Sequence, residues 1–125
     1  MLAAHNSERA ANGLGALAAD GTLTQIARQR ALDMATNGYF AHTSPSGQTA
    51  FTLLGASGYA YAIAGENLAR NNYPDAQSVG VAMAGFMSSS SHRVNVLEPR
   101  YRSVGIGLAV TADGMKYFVV VFAGR

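Results

Sequence analysis

The segment from Tyr117 to Phe122 limits the possible folds of this chain more than any other, because six consecutive residues there are apolar. Neighbouring side chains of a β-strand point to opposite faces of the sheet, so this strand would present three apolar side chains to each face. A strand of this kind has to be covered on both faces. The segment therefore predicts a sheet with helices packed on both sides.

Another strand is predicted directly before this segment. Between Val104 and Val110, apolar residues alternate with glycine and alanine. The turn that follows contains Asp113-Gly114, a pair that is typical of tight β-hairpins. We therefore expect an antiparallel hairpin in which both alternating sets of the returning strand, Tyr117 to Phe122, are inaccessible to solvent.

Four helices are predicted upstream of the hairpin from apolar spacing and capping residues. The clearest start is at Thr22, with Gln25 three residues later in the pattern of a capping box. Together these elements predict one α/β (α+β) domain over residues 1–125, a three-layer α-β-α sandwich with a central antiparallel sheet covered by helices on both faces. The predicted helices lie over residues 2–12, between Thr22 and Gly38, over residues 49–57, and from Asp75 onward with Val79, Ala82, Met83, Phe86 and Met87 in the core.

The composition excludes several classes of protein. Hydrophobic residues make up 49% of the chain and charged residues 13%, which argues against disorder. The net charge of +2 is spread along the chain without a basic run, so nucleic acid is not an expected partner. The absence of cysteine excludes disulfides and thiolate metal ligands. No apolar run approaches the roughly 20 residues of a transmembrane segment.

Three side chains are candidates for a functional site: His42, Glu66 and His92. Each of these two histidines lies where a loop meets a helix, and imidazole is a common metal ligand and a general acid or base near neutral pH. Glu66 has small or apolar neighbours, so its carboxylate would be partly buried and in need of a partner. Spacing alone does not show that the three converge. Each histidine can equally be an ordinary loop or capping residue, and Glu66 a solvated charge at a strand edge.

Two other features are interpreted as structural. His5 lies among polar residues of the first helix and is predicted to be on the surface. The run from Ser88 to Ser91 is interpreted as a mobile linker, because a catalytic serine needs a strained turn and an oxyanion hole.

Six motifs follow one another along nearly the whole chain. They are Asn6-x-x-Arg9, Gly13-Leu14, Tyr39-Phe40-x-His42-x-Ser44-Pro45, Gly65-Glu66-Asn67, Ser91-His92-Arg93-x-Asn95-x-Leu97 and Tyr101-x-x-Val104-Gly105-Ile106-Gly107. In this order they resemble the bacterial branch of the CAP superfamily, the cysteine-rich secretory, antigen five and pathogenesis-related proteins, also called SCP domains.

The resemblance implies an α-β-α sandwich that works outside the cell or at the cell wall. Some members of this family bind a divalent cation such as zinc in a surface cleft, here through His42 and His92, and some bind sterols or other lipids elsewhere on the domain. The expected partners are therefore a small ligand, a lipid or a cell-wall component, and the domain is expected to be a monomer. The resemblance places His42, Glu66 and His92 in the cleft, with Asn67, Ser91 and Asn95 as supporting residues.

The chain departs from the fuller family pattern in three ways. The second cleft glutamate of eukaryotic members falls near Ser89, the helix tryptophan is replaced by Phe86, and the cysteines are absent. With one carboxylate, a bound metal would have to complete its shell with water, so its affinity should be lower than in a four-residue site.

Three functions are compatible with the sequence. The first is a secreted binding module whose cleft holds a divalent cation or a small ligand. The second is a hydrolase in which a metal held by His42 and His92 activates water, with Glu66 as base. The third is a passive extracellular interaction domain. The absence of a positioned nucleophile favours the two non-enzymatic functions.

Overall fold

The computed structural model describes all 125 residues. The chain forms five helices and four strands. In chain order they are α1 (Leu2–Ala11), β1 (Ala18–Ala19), α2 (Gly21–Asn37), α3 (Ala50–Ala56), β2 (Ile63–Asn71), α4 (Asp75–Ser88), α5 (Ser90–Val96), β3 (Ser103–Val110) and β4 (Lys116–Gly124).

The four strands form one sheet in the order β1-β3-β4-β2. Strand β4 lies between β3 and β2 and pairs antiparallel with both, which confirms the predicted hairpin. Strand β1 pairs in parallel with the start of β3 over only two residues. The sequence did not predict β1, because two residues are too few to show a period. The edges of the sheet are therefore β1 and β2.

Helices cover both faces of the sheet, which confirms the three-layer sandwich. Helices α2 and α3 pack on the face that includes Val119 and Val121. Helices α4 and α5, with the start of α1 beside them, pack on the face that includes Val120 and Phe122. Every side chain from Tyr117 to Phe122 is at most 6% exposed, as the two-sided apolar pattern predicted.

Helix α2 begins earlier than predicted. Its N-cap is Asp20 and not Thr22, because the Asp20 carboxylate accepts a hydrogen bond of 3.0 Å from the backbone N–H of Leu23. It ends as predicted at Gly38, whose φ of 67° lies in the left-handed region.

Two glycines of β3 let α2 approach the sheet closely. A Cβ atom at Gly105 would overlap the backbone of Leu23, and a Cβ atom at Gly107 would overlap the backbone of Ala27. Side chains at these two positions would therefore push α2 away from the sheet. Because α2 carries residues of the candidate site, this contact also determines where the site lies.

His5 is buried, so its predicted surface position is wrong. The side chain is 0% exposed and lies between the rings of Phe86 and Phe122, at centroid distances of 6.1 and 5.7 Å. Its Nδ1 contacts the carbonyl oxygen of Met1 at 3.0 Å, whereas Nε2 is buried without a hydrogen-bond partner. The prediction considered the polar neighbours of His5 in sequence, but the residue that shares its buried helix face is Arg9, four positions later.

Arg9 links α1 by hydrogen bonds to the end of α5 and to the segment that follows it. Its guanidinium donates hydrogen bonds to the carbonyl oxygens of Gly15, Val96, Glu98 and Tyr101 at 2.8 to 3.3 Å. The side chain is 0% exposed. These bonds satisfy a buried cation without a carboxylate, which explains how a charged residue occupies the inner face of α1.

His5 should make the fold sensitive to acid. Burial lowers the pKa of His5, as does the charge of Arg9, whereas its contact with the Met1 carbonyl partly opposes this shift. The unfolded chain therefore binds a proton near the ordinary pKa of about 6.5, and the folded chain only at lower pH. The stability associated with neutral His5 should be present above that value and lost as pH falls through the folded pKa.

Urea unfolding of the wild type and of His5→Leu at about pH 7.5 and about pH 5.5 tests this expectation. The variant should lose less stability on acidification than the wild type, because leucine has no proton to bind. Equal losses of stability in the two proteins would contradict a lowered pKa of His5 in the folded state.

Candidate functional site

The candidate site is built around Glu66 in β2. The Glu66 side chain is only 2% exposed, and it forms an ion pair with Arg30 of α2. Arg30 Nε donates to Oε2, and Arg30 Nη2 donates to Oε1 at 3.1 Å. The Glu66 carboxylate is therefore neutralised by a buried guanidinium, and the ion pair is shielded from solvent.

The same guanidinium holds the loop that carries His42. Arg30 Nη2 donates to the carbonyl oxygens of Ala41 and His42 at 3.0 and 2.9 Å. His42 Nδ1 in turn lies 2.8 Å from Glu66 Oε1. The sequence analysis missed Arg30, although a signal was present. Arg30 lies within the apolar stripe of α2, where a charged residue needs a buried partner.

The contact with Glu66 determines the tautomer of His42. Both carboxylate oxygens accept hydrogen bonds from Arg30, so Glu66 acts as an acceptor and the hydrogen of the third contact is on His42 Nδ1. In the neutral imidazole, the other ring nitrogen, Nε2, carries the lone pair, and it makes no hydrogen bond within the protein. Because the His42 side chain is 60% exposed, this lone pair is accessible to a ligand.

His92 lies in the first turns of α5, and its side chain is held by two contacts. Its ring stacks on Phe86 at 5.5 Å between centroids, and its Nδ1 lies 2.8 Å from Ser89 Oγ. Burial lowers the pKa of His92, and a proton on the neighbouring His42 would lower it further. These effects favour the neutral imidazole, which is the form that binds metal ions.

The serine run is ordered, so its interpretation as a mobile linker is wrong. Ser88 ends α4 and Ser90 begins α5, with Ser89 between the two helices. The Ser91 hydroxyl lies 3.3 Å from that of Ser89 and forms no hydrogen bond with the side chains of the three cleft residues. Ser89 is therefore the serine whose hydroxyl contacts His92.

Two asparagines connect β2 to α5. Asn67 is fully buried and donates to the carbonyl oxygen of His92 at 2.9 Å. Asn95 donates to Asn67 Oδ1 at 2.9 Å, and its Oδ1 accepts from the Tyr101 hydroxyl at 3.3 Å. A Cβ atom at Gly65 would overlap both the Tyr101 hydroxyl and the Asn95 side chain, so a larger residue at this position would displace them.

A cation in this cleft would be held by the imidazole nitrogens of the two histidines and not by the Glu66 carboxylate. Both oxygens of Glu66 are already occupied by Arg30 and His42. No three histidine, cysteine, aspartate or glutamate side chains converge as a set of metal ligands. A metal-binding imidazole whose other nitrogen donates to a carboxylate is a common arrangement, and His42 has it. The residues present therefore fit a cation with two side-chain ligands at most, His42 and His92.

A groove with a volume of about 320 Å³ begins at His92. We call it the β2 groove. It is lined by Leu68 to Asn71 of β2, by Phe40, by residues of α4 that include Phe86, and by Ser89 and His92. The β2 groove therefore has one imidazole in its lining, that of His92, together with a majority of hydrophobic residues.

Residues 2–122 match the cysteine-rich secretory protein family, CAP. The chain belongs to this family. The match spans nearly the whole domain, so the predicted resemblance is confirmed. None of the five helices of this CAP domain is long and apolar enough to cross a membrane.

Bacterial CAP proteins are among its relatives. The chain is 35% identical over 102 residues to the uncharacterized protein YkwD of Bacillus subtilis, covering 82% of this chain and 38% of YkwD. An extracellular protein containing a SCP domain from Bacillus anthracis superposes with a TM-score of 0.82 at 28% identity, covering 97% of this chain and 38% of that protein. An outer surface protein of Borrelia burgdorferi has a TM-score of 0.88 at 22% identity, with 99% and 89% coverage. The chain thus spans well under half the length of the two Bacillus proteins.

Proposed function

We propose that this CAP domain is a non-enzymatic binding module that works outside the cell, with the cleft between His42 and His92 as its ligand site. The observation that carries this proposal is the chain of hydrogen bonds from Arg30 through the Glu66 carboxylate to His42, which we call the relay. It presents a free Nε2 lone pair of His42 to solvent. The relatives described as extracellular or outer surface proteins support the location.

The environment of Glu66 argues against the hydrolase alternative. A general base must reach the water that it activates. The Glu66 side chain is 2% exposed, and its two oxygens accept hydrogen bonds from Arg30 and His42. Glu66 is instead placed to orient the imidazole of His42. A passive interaction domain is the competing function, and it predicts that neither the cation nor a small ligand binds.

Zinc is the cation that this donor set suits best. It binds imidazole nitrogen, and it can keep part of its coordination shell for water or a ligand when the protein supplies few side chains. His42 and His92 would hold it, with water or a ligand completing the shell. When bound, the cation would supply a Lewis-acidic centre for an anionic or carbonyl group of the ligand. With two side-chain ligands the affinity should be modest.

Zinc titrated by calorimetry should bind to the wild type at about pH 7.5 and bind little at about pH 5.5, because a protonated imidazole cannot ligate a metal. Each of the substitutions His42→Ala and His92→Ala should abolish binding while circular dichroism stays unchanged. His5→Leu is the control: it also removes a histidine, but one that is fully buried and is separated from His92 by the ring of Phe86. If the wild type binds no zinc at the higher pH, the cleft is a structural hydrogen-bond cluster and the passive domain becomes the better proposal.

A further inference from the structure

The β2 groove follows the free edge of the sheet. Strand β2 is the last strand of the order β1-β3-β4-β2, so only one of its two sides is paired. Its side chains alternate between the two faces: Leu68 belongs to the cluster under α2 and α3, whereas Ala69 packs against the cluster under α4 and α5. Both residues line the groove, together with Arg70 and Asn71. Since residues from both faces of β2 line one groove, the strand edge between them lies along its floor.

The backbone of this edge is unpaired within the chain. From Leu68 to Asn71 the ladder hydrogen bonds go to β4 alone. No loop backbone and no side chain bonds to the remaining N–H and C=O groups of these four residues. A row of unpaired backbone groups at a sheet edge is a template for one more strand.

The charge of the groove favours one kind of strand. Arg70 is the only ionised side chain in its lining apart from the titratable His92. Its guanidinium carbon lies 4.7 Å above the ring of Phe40 and forms no ion pair with any acidic residue. An arginine that is held by an aromatic ring and lacks a carboxylate partner is suited to bind a carboxylate of a ligand through two parallel hydrogen bonds.

We propose that the β2 groove binds an extended peptide segment that pairs with the outer edge of β2 as a fifth strand and places a carboxylate against Arg70. This inference rests on the proposed binding role of the cleft, but it does not require a bound cation. The hydrophobic residues of the groove would take the alternate side chains of the peptide. A second copy of this chain fits less well, because pairing two such edges would bring two unpaired Arg70 side chains into one groove.

A matched pair of peptides tests the proposal in the metal-free protein, with a chelator present. The first peptide has about seven residues of alternating threonine and valine and ends in glutamate with a free carboxyl terminus. The second ends in glutamine and is amidated. Amide chemical shifts in ¹H–¹⁵N spectra report where each one binds. The acidic peptide should shift the amides of Leu68 to Asn71, and the neutral peptide should bind about tenfold more weakly.

Backbone pairing is tested by two further versions of the acidic peptide, methylated on the backbone nitrogens of either the odd or the even residues. Only one alternating set of N–H groups can face β2, so one version should lose binding and the other should retain it. Equal binding of both would overturn strand addition. Peptide shifts that avoid Leu68 to Asn71 would also overturn it.

The role of Arg70 is tested by Arg70→Gln, with Arg28→Gln as its control. Arg28 is an exposed arginine of α2 outside the groove, so both changes remove one surface charge. Arg70→Gln should weaken the acidic peptide about tenfold and leave the neutral peptide unchanged, whereas Arg28→Gln should affect neither. A concentration-dependent dimer with no peptide binding would show that a second copy covers the edge and would overturn the proposal. Because zinc is absent from these experiments, loss of peptide binding leaves the calorimetric test of the cation site independent.

Discussion

Replacing Arg30 with methionine should lower the free energy of unfolding by about 3–5 kcal/mol, because it leaves the Glu66 carboxylate buried without its cationic partner. The Glu66 side chain is 2% exposed, so solvent cannot take the place of the guanidinium. The substitution also removes the two hydrogen bonds to the carbonyl oxygens of Ala41 and His42. Urea unfolding at neutral pH measures the loss. Arg28→Met on the exposed side of the same helix is the control and should change stability by less than about 0.5 kcal/mol.

The double variant Arg30→Met, Glu66→Leu separates the ion pair from packing. Apolar replacement of both members of a buried pair is often neutral or stabilising, so the double variant should recover most of the loss. Because the His42 contact also disappears, the double variant should nevertheless lose the defined Nδ1–H tautomer of His42, which ¹⁵N shifts of the ring nitrogens report. A loss below about 1 kcal/mol for Arg30→Met would mean that the pair is not buried as the structure has it.

Replacing Gly107 with alanine should cost about 3 kcal/mol or more, because the added methyl group overlaps the backbone of Ala27 and a backbone cannot move aside as a side chain can. Relief of the overlap requires α2 to separate from β3, which exposes apolar surface on both elements. Since α2 also carries Arg30, the variant should change the site as well as the stability. Thermal unfolding gives the first effect, and the ring ¹⁵N shifts of His42 give the second.

Gly80→Ala is the matched control for this experiment. Gly80 lies inside α4, and a Cβ atom there would meet no other atom within 4 Å. Alanine in a helix interior is favoured over glycine, so this variant should be more stable than the wild type by about 0.5–1 kcal/mol. Opposite signs for the same chemical change at Gly107 and Gly80 are the expected result. A stabilising Gly107→Ala would contradict the close contact between α2 and the sheet.

The relay from Arg30 through Glu66 to His42 links the stability of the domain to the chemistry of its cleft. The guanidinium that neutralises the buried carboxylate also fastens the His42 loop. The carboxylate in turn orients the imidazole. A substitution that weakens the ion pair should therefore reduce both stability and cation binding, whereas His42→Ala should reduce cation binding alone.

The amino-acid sequence by itself determined the layers of this protein. The uninterrupted apolar strand near its end required cover on both faces, and the Asp113-Gly114 turn predicted the antiparallel pairing that the structure has. These features are local, because the period of a strand and the residues of a turn act over a few positions. The ordered motifs identified the family and named His42, Glu66 and His92, but they did not show what each side chain contacts.

Only the tertiary structure decided the partners of the buried polar residues. His5 and Arg9 face the core because α1 packs on α4 and β4, although their sequence neighbours are polar. Arg30 and Glu66 are 36 positions apart and meet only when α2 lies on the sheet, at the separation that the glycines of β3 permit. The period of a helix shows which face of the helix a residue occupies. It does not identify the atoms that this face contacts, because they belong to segments distant in the chain. That is why the hairpin and the layers could be predicted, and why the relay at the site and the free edge of β2 could not.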